Sequence, residues 1–330
     1  MLREWKDVLD SAVRDGGDLF DSFVRLGNSE AQVVLRVRGR LRNLEIPFVY
    51  RGHLESFGEV RPSDDLQDPW EMSEMPNEFV LNVAMSGGTS TSHTLRVMDL
   101  ELLLDAVPRA DAQTSDYWDA VVEANVLSKG TDGGRRRDFR HLKELFLLSP
   151  DCLCFRALHD LWWIDHSARP LLACLSALTQ DAVFRASADV IVRTSPGDEL
   201  TSRDLAAAVE EQFPTSYKAS TLAKIGRNTF SSWEQTGHLR PHAPSIKQRQ
   251  RAVCQPSNVA YALLLGHLQG ARGQALFETL WAQVLDQPRS HLYDLATAAS
   301  QAGLLEFRNA GGVVEVGFTH LLRPFEGMLL

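Results

Sequence analysis

Cysteine is scarce and unpatterned. The 330 residues hold four, Cys152, Cys154, Cys174 and Cys254, too few and too irregular for a disulfide framework or a zinc knuckle. The Cys152-x-Cys154 pair lacks the two-residue spacer of a redox or zinc motif, so all four read as reduced, structural thiols. Long apolar runs are absent as well. Residues 171–178 form the longest candidate, far short of the roughly 18 residues that span a bilayer. The opening MLREWKDVLD is charged and amphipathic and has no apolar core, unlike a secretory signal. The expectation is a cytoplasmic protein with no membrane partner.

The signatures of catalysis are missing too. SGGTSTS (86–92) has glycines but no lysine and no strand–helix context, so it is no phosphate-binding loop. Asp151 follows a proline without the Glu/Asp-x-Lys partner of a metal-dependent nuclease. His159, Asp160, Asp165 and His166 cluster in HDLWWIDH, but Trp162, Trp163 and Ile164 among them mark a packed helix end rather than ligands converging on a metal. There is no serine nucleophile elbow. No enzymatic activity, cofactor or metal is expected.

Positive charge is the remaining deficit. Thirty-four Lys and Arg face 43 Asp and Glu, a net charge of −9, which excludes a protein that coats nucleic acid over its whole surface. Against that background the distribution is uneven. Between 216 and 251 stand Lys218, Lys224, Arg227, Arg240, Lys247, Arg249 and Arg251, with Glu234 as the one acid. A concentrated positive patch on an acidic chain points to a phosphate backbone.

The local pattern around this patch is that of a helix-turn-helix. Thr201 with Asp204 forms a capping-box-like start; Leu205, Val209 and Phe213 form one stripe, and Pro214 stops the helix. Ser220 is read as the cap of a second helix, with Leu222, Ile225, Phe230 and Trp233 toward the core and Lys224, Arg227, Asn228 and Ser231 on the other face. Gly237 ends it. Such a second helix enters the major groove, where lysine or arginine meets guanine and asparagine meets adenine. His238, Leu239 and Arg240 would begin a wing, and Lys247, Arg249 and Arg251 would reach flanking phosphates. The turn of about six residues suits a winged variant. The bland reading of the same residues is an αα-hairpin with a solvated basic face.

Two further segments carry weight. GGRRRDFRHLKELFLL (133–148) opens with Arg135, Arg136 and Arg137 at a helix N-terminus, where positive charge is locally unfavourable; a polyanion contact gives it a reason. Near the other end, apolar helices are expected over 259–268 and 275–285, and a helix over 289–302 closed by Gly303. Two strands follow around the turn RNAGG (308–312). This is a winged-helix ending with thin positive charge, fitted to protein as much as to DNA.

The expected fold class is mainly α with winged-helix (helix-turn-helix) units and a smaller N-terminal α/β domain. Residues 1–110 form the α/β domain, 111–250 a helical domain with the first helix-turn-helix, and 251–330 a second winged-helix-like domain. In the first, Trp5, Val8, Leu9 and Val13 fall at helical spacing, extended by Leu19, Phe20, Phe23 and Val24. LEIPFVYRG (44–52), FVLNVAM (79–85) and HTLRVM (93–98) read as strands. VVLRVRGRLR (33–42) fits either a strand with Arg36, Arg38, Arg40 and Arg42 on one face or a helix. Residues 62–78, with six acids, three prolines and no base, read as an extended acidic loop. Beyond 110, Ser115 is expected to cap a helix carrying Trp118, Val121, Val122 and Val126, with further helices over 151–163, 169–179 and 180–193.

The stretches WDAVVEANVLSKGTDGGRRRDFRHLKELF, LTSRDLAAAVEEQF, STLAKIGRNTFSSWEQTGHL and ATAASQAGLLEF together resemble the BrxA family, small DNA-binding proteins of BREX bacteriophage-defence systems. The resemblance covers about 115–320. It implies an all-helical, winged-helix body that binds double-stranded DNA, works with other defence-system proteins and has no catalysis of its own. The N-terminal 110 residues lie outside it. The runner-up is a protein-interaction scaffold, marked by exposed apolar rather than basic surface.

Overall fold

The computed structural model describes residues 89–323 continuously and, before them, the backbone of six strands between Asp18 and Met72. The chain divides into two compact units, Met1–Phe79 and Val80–Leu330. The expected boundary near 110 therefore moves: residues 89–110 belong to the second unit, because Leu95, Val97, Leu100, Leu103 and Leu104 are buried in its core.

In the first unit β1 (Asp18–Leu19), β2 (Ser22–Arg25), β3 (Glu30–Arg38), β4 (Asn43–Ser56), β5 (Glu59–Pro62) and β6 (Trp70–Met72) form an antiparallel sheet. The order is β1-β3-β4-β5, with β2 also on β3 and β6 also on β4. VVLRVR is thus strand, and Arg36 pairs in register with Glu45 of β4. The helical continuation expected at Leu19–Val24 is replaced by two short strands, and a strand at 70–72 interrupts the expected acidic loop. The helix expected at Trp5–Val13 and the strand at 79–85 fall outside the described residues, as do Arg40 and Arg42.

The second unit is mainly helical, with one continuous core reaching from Leu95 to Leu321. The sequence boundary near 250 therefore separates no independent core. HTLRVM is no strand: α1 (Val97–Ala106) begins inside it after Arg96, which sits at φ 59°. Residues 97–104 carry apolar groups at helical spacing, and burial of that face decides the outcome. Next come α2 (Thr114–Trp118), which runs on into a one-turn π-helix, and α3 (Asp132–Phe146). Gln113 and Asp116 build the cap of α2 expected at Ser115. Then follow α4 (Leu153–Trp162), α5 (Arg169–Gln180), α6 (Ala182–Ala186) and α7 (Ala188–Arg193).

The next segment builds the candidate site. β7 (Glu199–Thr201) leads into α8 (Ser202–Gln212), a turn, α9 (Ala219–Gln235) and the hairpin β8 (Leu239–Ala243) and β9 (Ile246–Arg249). The three strands are antiparallel in the order β7-β9-β8. Thr201 caps α8 through the expected box with Asp204. α9 starts one residue before Ser220, with Lys218 at the N-cap position and no side-chain cap. Gly237, at φ 82°, turns the chain out of α9 where the sequence calls for it.

The last third is organised by α10 (Pro256–Leu268), apolar on all sides and buried along nearly its whole length. It packs on α4, α5, α11 (Leu280–Val284) and α12 (Arg289–Gln301). The expected single helix over 275–285 is instead a 3₁₀ turn followed by α11. The hairpin β10 (Glu306–Ala310) and β11 (Val313–Gly317) turns through Gly311 and Gly312. Both have positive φ, as a two-residue type I′ turn requires.

Candidate nucleic-acid interface

α9 is held by its two buried edges. Leu222 and Ile225 pack with Val183 and Val209, while Phe230 and Trp233 enter the main core. Trp233 lies on Phe184 with ring centroids 4.6 Å apart and donates its indole N–H to Ser187 Oγ at 2.9 Å. What stays outside is a stripe at helical spacing: Ser220, Ala223, Lys224 and Arg227. Lys224 and Arg227 make no hydrogen bond or ion pair among the described residues, nor does Lys218 at the helix start. Two small residues between the cations leave the backbone of α9 open to a close approach.

The rest of the expected groove-facing set is engaged inside the protein. Asn228 donates from Nδ2 to the carbonyl of Ser90 at 2.9 Å, so it is a tether and not a base reader. Ser231 is half-buried beside it. Lys247 donates to the Phe230 carbonyl at 2.8 Å, pairs with Glu234 at 2.7 Å and lies over the Phe230 ring. That holds β9 against α9 and withdraws its charge from a phosphate. Arg249 is the firmest correction. At 2% exposure it is buried, pairing with Asp286 at 3.0 Å and donating to the carbonyls of Ile191, His238 and Gln250. A side chain enclosed in this way reaches no DNA. Arg240 stays exposed on the hairpin, crossing to Gln248 Oε1, and Arg251 is exposed without a hydrogen bond or ion pair among the described residues.

His238, expected to open the wing, is also interior. Its Nε2 meets the Val284 carbonyl at 2.8 Å and its Nδ1 the Thr236 hydroxyl at 2.7 Å. A carbonyl only accepts, so the neutral ring carries its proton on Nε2 and Nδ1 accepts. Burial, and then the Arg249 charge, pull its pKa down to about 3. Below the ordinary value of 6.5 the unfolded chain takes up a proton that the folded chain refuses. Stability therefore falls as pH drops from about 6.5 toward 3, by up to about 1.4 kcal/mol per pH unit. Urea midpoints at pH 7 and pH 5 are expected to show the loss, and His238→Gln to show a smaller one; identical losses would remove His238 as its source.

α3 supplies the second positive surface. Thr131 Oγ1 caps it by accepting from Gly134 N at 3.1 Å. Arg135 turns inward to the Val122 carbonyl. Arg136 pairs with Asp132 at 2.7 Å and lies over Trp118. Arg137 and Arg140 remain exposed with no hydrogen bond or ion pair among the described residues. Of the arginine run, then, Arg137 is the residue left for a ligand, joined by Arg140.

A strap over residues 89–97 joins the two surfaces. The Ser90 amide and hydroxyl bond to Asp181, which also caps α6. Leu95 N donates to Ser232 Oγ at 3.0 Å and Val97 N to Gln235 Oε1 at 3.2 Å, both on α9. From this strap His93 lies against His141 of α3, ring centroids 3.5 Å apart and planes tilted by 43°. Arg96 bonds Asp138 of α3 at 2.6 Å, and Lys129 stands 3.6 Å from the same carboxylate. Burial opposes the Asp138 charge, but the Arg96 bond and charge outweigh it and keep its pKa low. Burial, then His141, Arg96 and Lys224, lower His93 to about 4, and burial with Arg96, Arg140 and Arg137 lowers His141. The cations of α3 and α9 that the sequence separates thus share one field. No sequence spacing pairs His93 with His141, and reading 93–98 as a strand hid the strap.

The flanks are electrostatically distinct. Glu210 and Glu211 are exposed near the end of α8, and their charge disfavours a polyanion there. Toward the other end of the unit, α12 exposes Arg289, His291, Asp294, Thr297 and Gln301, and Arg289 is already paired with Glu278. No group of three metal-ligating side chains converges among the described residues. No helix among them is long and apolar enough to cross a membrane. No family model matches the chain, and no curated protein matches it significantly.

Proposed function

We propose that this chain is a non-catalytic accessory component of a bacterial anti-phage defence system, similar to BrxA, that binds double-stranded DNA. The observation that carries this reading is the exposed stripe Ser220, Ala223, Lys224 and Arg227 on α9, bordered by the β8–β9 hairpin. Helix, strand, two helices and a hairpin, with the first strand pairing to the last, support the winged helix-turn-helix reading. In that reading α9 takes the recognition position. Lys224 and Arg227 approach the groove; Lys218, Arg240, Arg251, Arg137 and Arg140 hold phosphates. Sequence discrimination is weak, because Asn228 is engaged with the strap and two flexible cations remain.

The test is fluorescence anisotropy with a labelled duplex at low salt. The wild-type chain is expected to bind, and Lys224→Ala with Arg227→Ala together to weaken binding at least about tenfold, two lost phosphate or base contacts at about 1 kcal/mol or more each. Unchanged affinity removes α9 from the interface.

One observation favours a second role beside DNA binding, the docking of other defence-system proteins. Met98 is 66% exposed and Leu102 46%, one turn apart on α1, and Ile164 is 54% exposed beyond α4. Arg169 ties these elements together, pairing with Glu101 of α1 at 2.7 Å and lying over Trp163. Exposed apolar side chains on a framework this fixed suit a partner surface.

A further inference from the structure

We infer that the close pair His93–His141, between the strap and α3 and in the field of Lys224 of α9, is a seat for one phosphate of the DNA backbone that takes up protons as it fills. The inference rests on the DNA-binding reading and adds a ligand contact and a pH dependence to it.

The geometry favours an anion. Two imidazoles with centroids 3.5 Å apart cannot both hold a proton unless negative charge stands against them. Both residues are partly exposed, His141 over 12% of its side chain. His141 Nδ1 is buried with no hydrogen-bond partner, its nearest acid being Glu144 at 3.4 Å. The charged groups around the pair come from every neighbouring element: Arg96 from the strap; Arg137, Asp138, Arg140 and Glu144 from α3; and Lys224 from α9. Asp138 is already held by Arg96 and Lys129. That leaves Arg137, Arg140 and Lys224, with Glu144 as the one opposing carboxylate, and a phosphate can take two N–H bonds from the protonated rings.

The sign of the linkage follows. In the free protein both rings are neutral near pH 7, and a phosphate raises both pKa values. The complex then holds more protons than the free protein, so affinity rises as pH falls. Each proton taken up contributes at most about tenfold per pH unit.

The experiment is duplex binding at pH 8, 7 and 6 and fixed ionic strength, for the wild-type chain and for His93→Gln with His141→Gln. Wild-type affinity is expected to rise about three- to tenfold from pH 8 to pH 6, and the variant to show less than half of that rise. Calorimetry of the wild type at pH 6.5, in buffers of different ionisation enthalpy, reads proton uptake directly and does not depend on the variant folding. Inorganic phosphate separates the sources. If it shifts the ring signals of both histidines in NMR spectra while the duplex leaves them in place, the seat serves a free anion and the inference is overturned. Zero uptake, or an equal pH response in the variant, overturns it as well. Failure to bind duplex at any pH defeats the DNA-binding reading itself, so the two failures are distinguishable.

Discussion

A Gly226→Ala chain is expected to lose up to about 2 kcal/mol of stability, and DNA binding with it, although alanine is the better helix former. Glycine in mid-helix costs about 1 kcal/mol relative to alanine, so its presence within α9 needs a reason. The reason is the start of α8. A methyl group at Gly226 would overlap the carbonyl oxygen of Ser202 and stand 2.9 Å from Ala206 Cβ. The obstructing atom is backbone held by the Thr201–Asp204 cap, so neither helix yields by a side-chain rotation. Overpacking of this kind costs about 1–3 kcal/mol, occasionally more, which exceeds the propensity gain. Separating α8 from α9 also tilts the stripe that carries Lys224 and Arg227. Urea denaturation and the anisotropy assay read both effects. A variant at least as stable as the wild type would show that the two helices are not in close contact here.

Arg249→Met is expected to destabilise by about 3–5 kcal/mol, since removing one member of a buried pair strands the other. Asp286 would face the interior without its cation, and the carbonyls of Ile191, His238 and Gln250 would lose a donor. Burial already pushes the Asp286 carboxyl upward against the Arg249 charge, so without Arg249 it protonates more readily and relieves part of the loss. The double change Arg249→Met with Asp286→Asn is expected to recover more than 1 kcal/mol of the single loss, as replacement of both partners often does. The contrary outcome is specific: an Arg249 that contacts phosphate would leave stability intact on substitution and lower only DNA affinity.

The α8–α9 segment and its hairpin show what could be read in the sequence and what could not. Signals within one turn of chain were legible. They include the Thr201–Asp204 cap, the apolar edges of α9, the stops at Gly237 and Gly303, and the hairpin through Gly311 and Gly312. Each depends on a few neighbouring residues and on backbone conformations that few side chains adopt. The fate of the cations was not legible. Lys247 and Arg249 read as phosphate contacts because a basic residue on a wing has the same local pattern whether it points to solvent or to Asp286. Asn228 carries the same ambiguity, since its partner Ser90 lies far away in the chain. The register of the surface was therefore visible in part: Lys218, Lys224, Arg227, Arg240 and Arg251 stay exposed. The joining of α3 to α9 by the strap was not.

Duplex binding as a function of salt tests the central claim most directly. If Lys218, Arg240, Arg251, Arg137 and Arg140 hold phosphates and Lys224 and Arg227 add their charge in the groove, the plot of log affinity against log salt is expected to fall with a slope of about −4 to −6, each phosphate neutralised adding about 0.9. The Lys224→Ala and Arg227→Ala pair is then expected to flatten it by about 1 to 2. A slope near zero, or a steep slope that the pair leaves unchanged, would contradict the account.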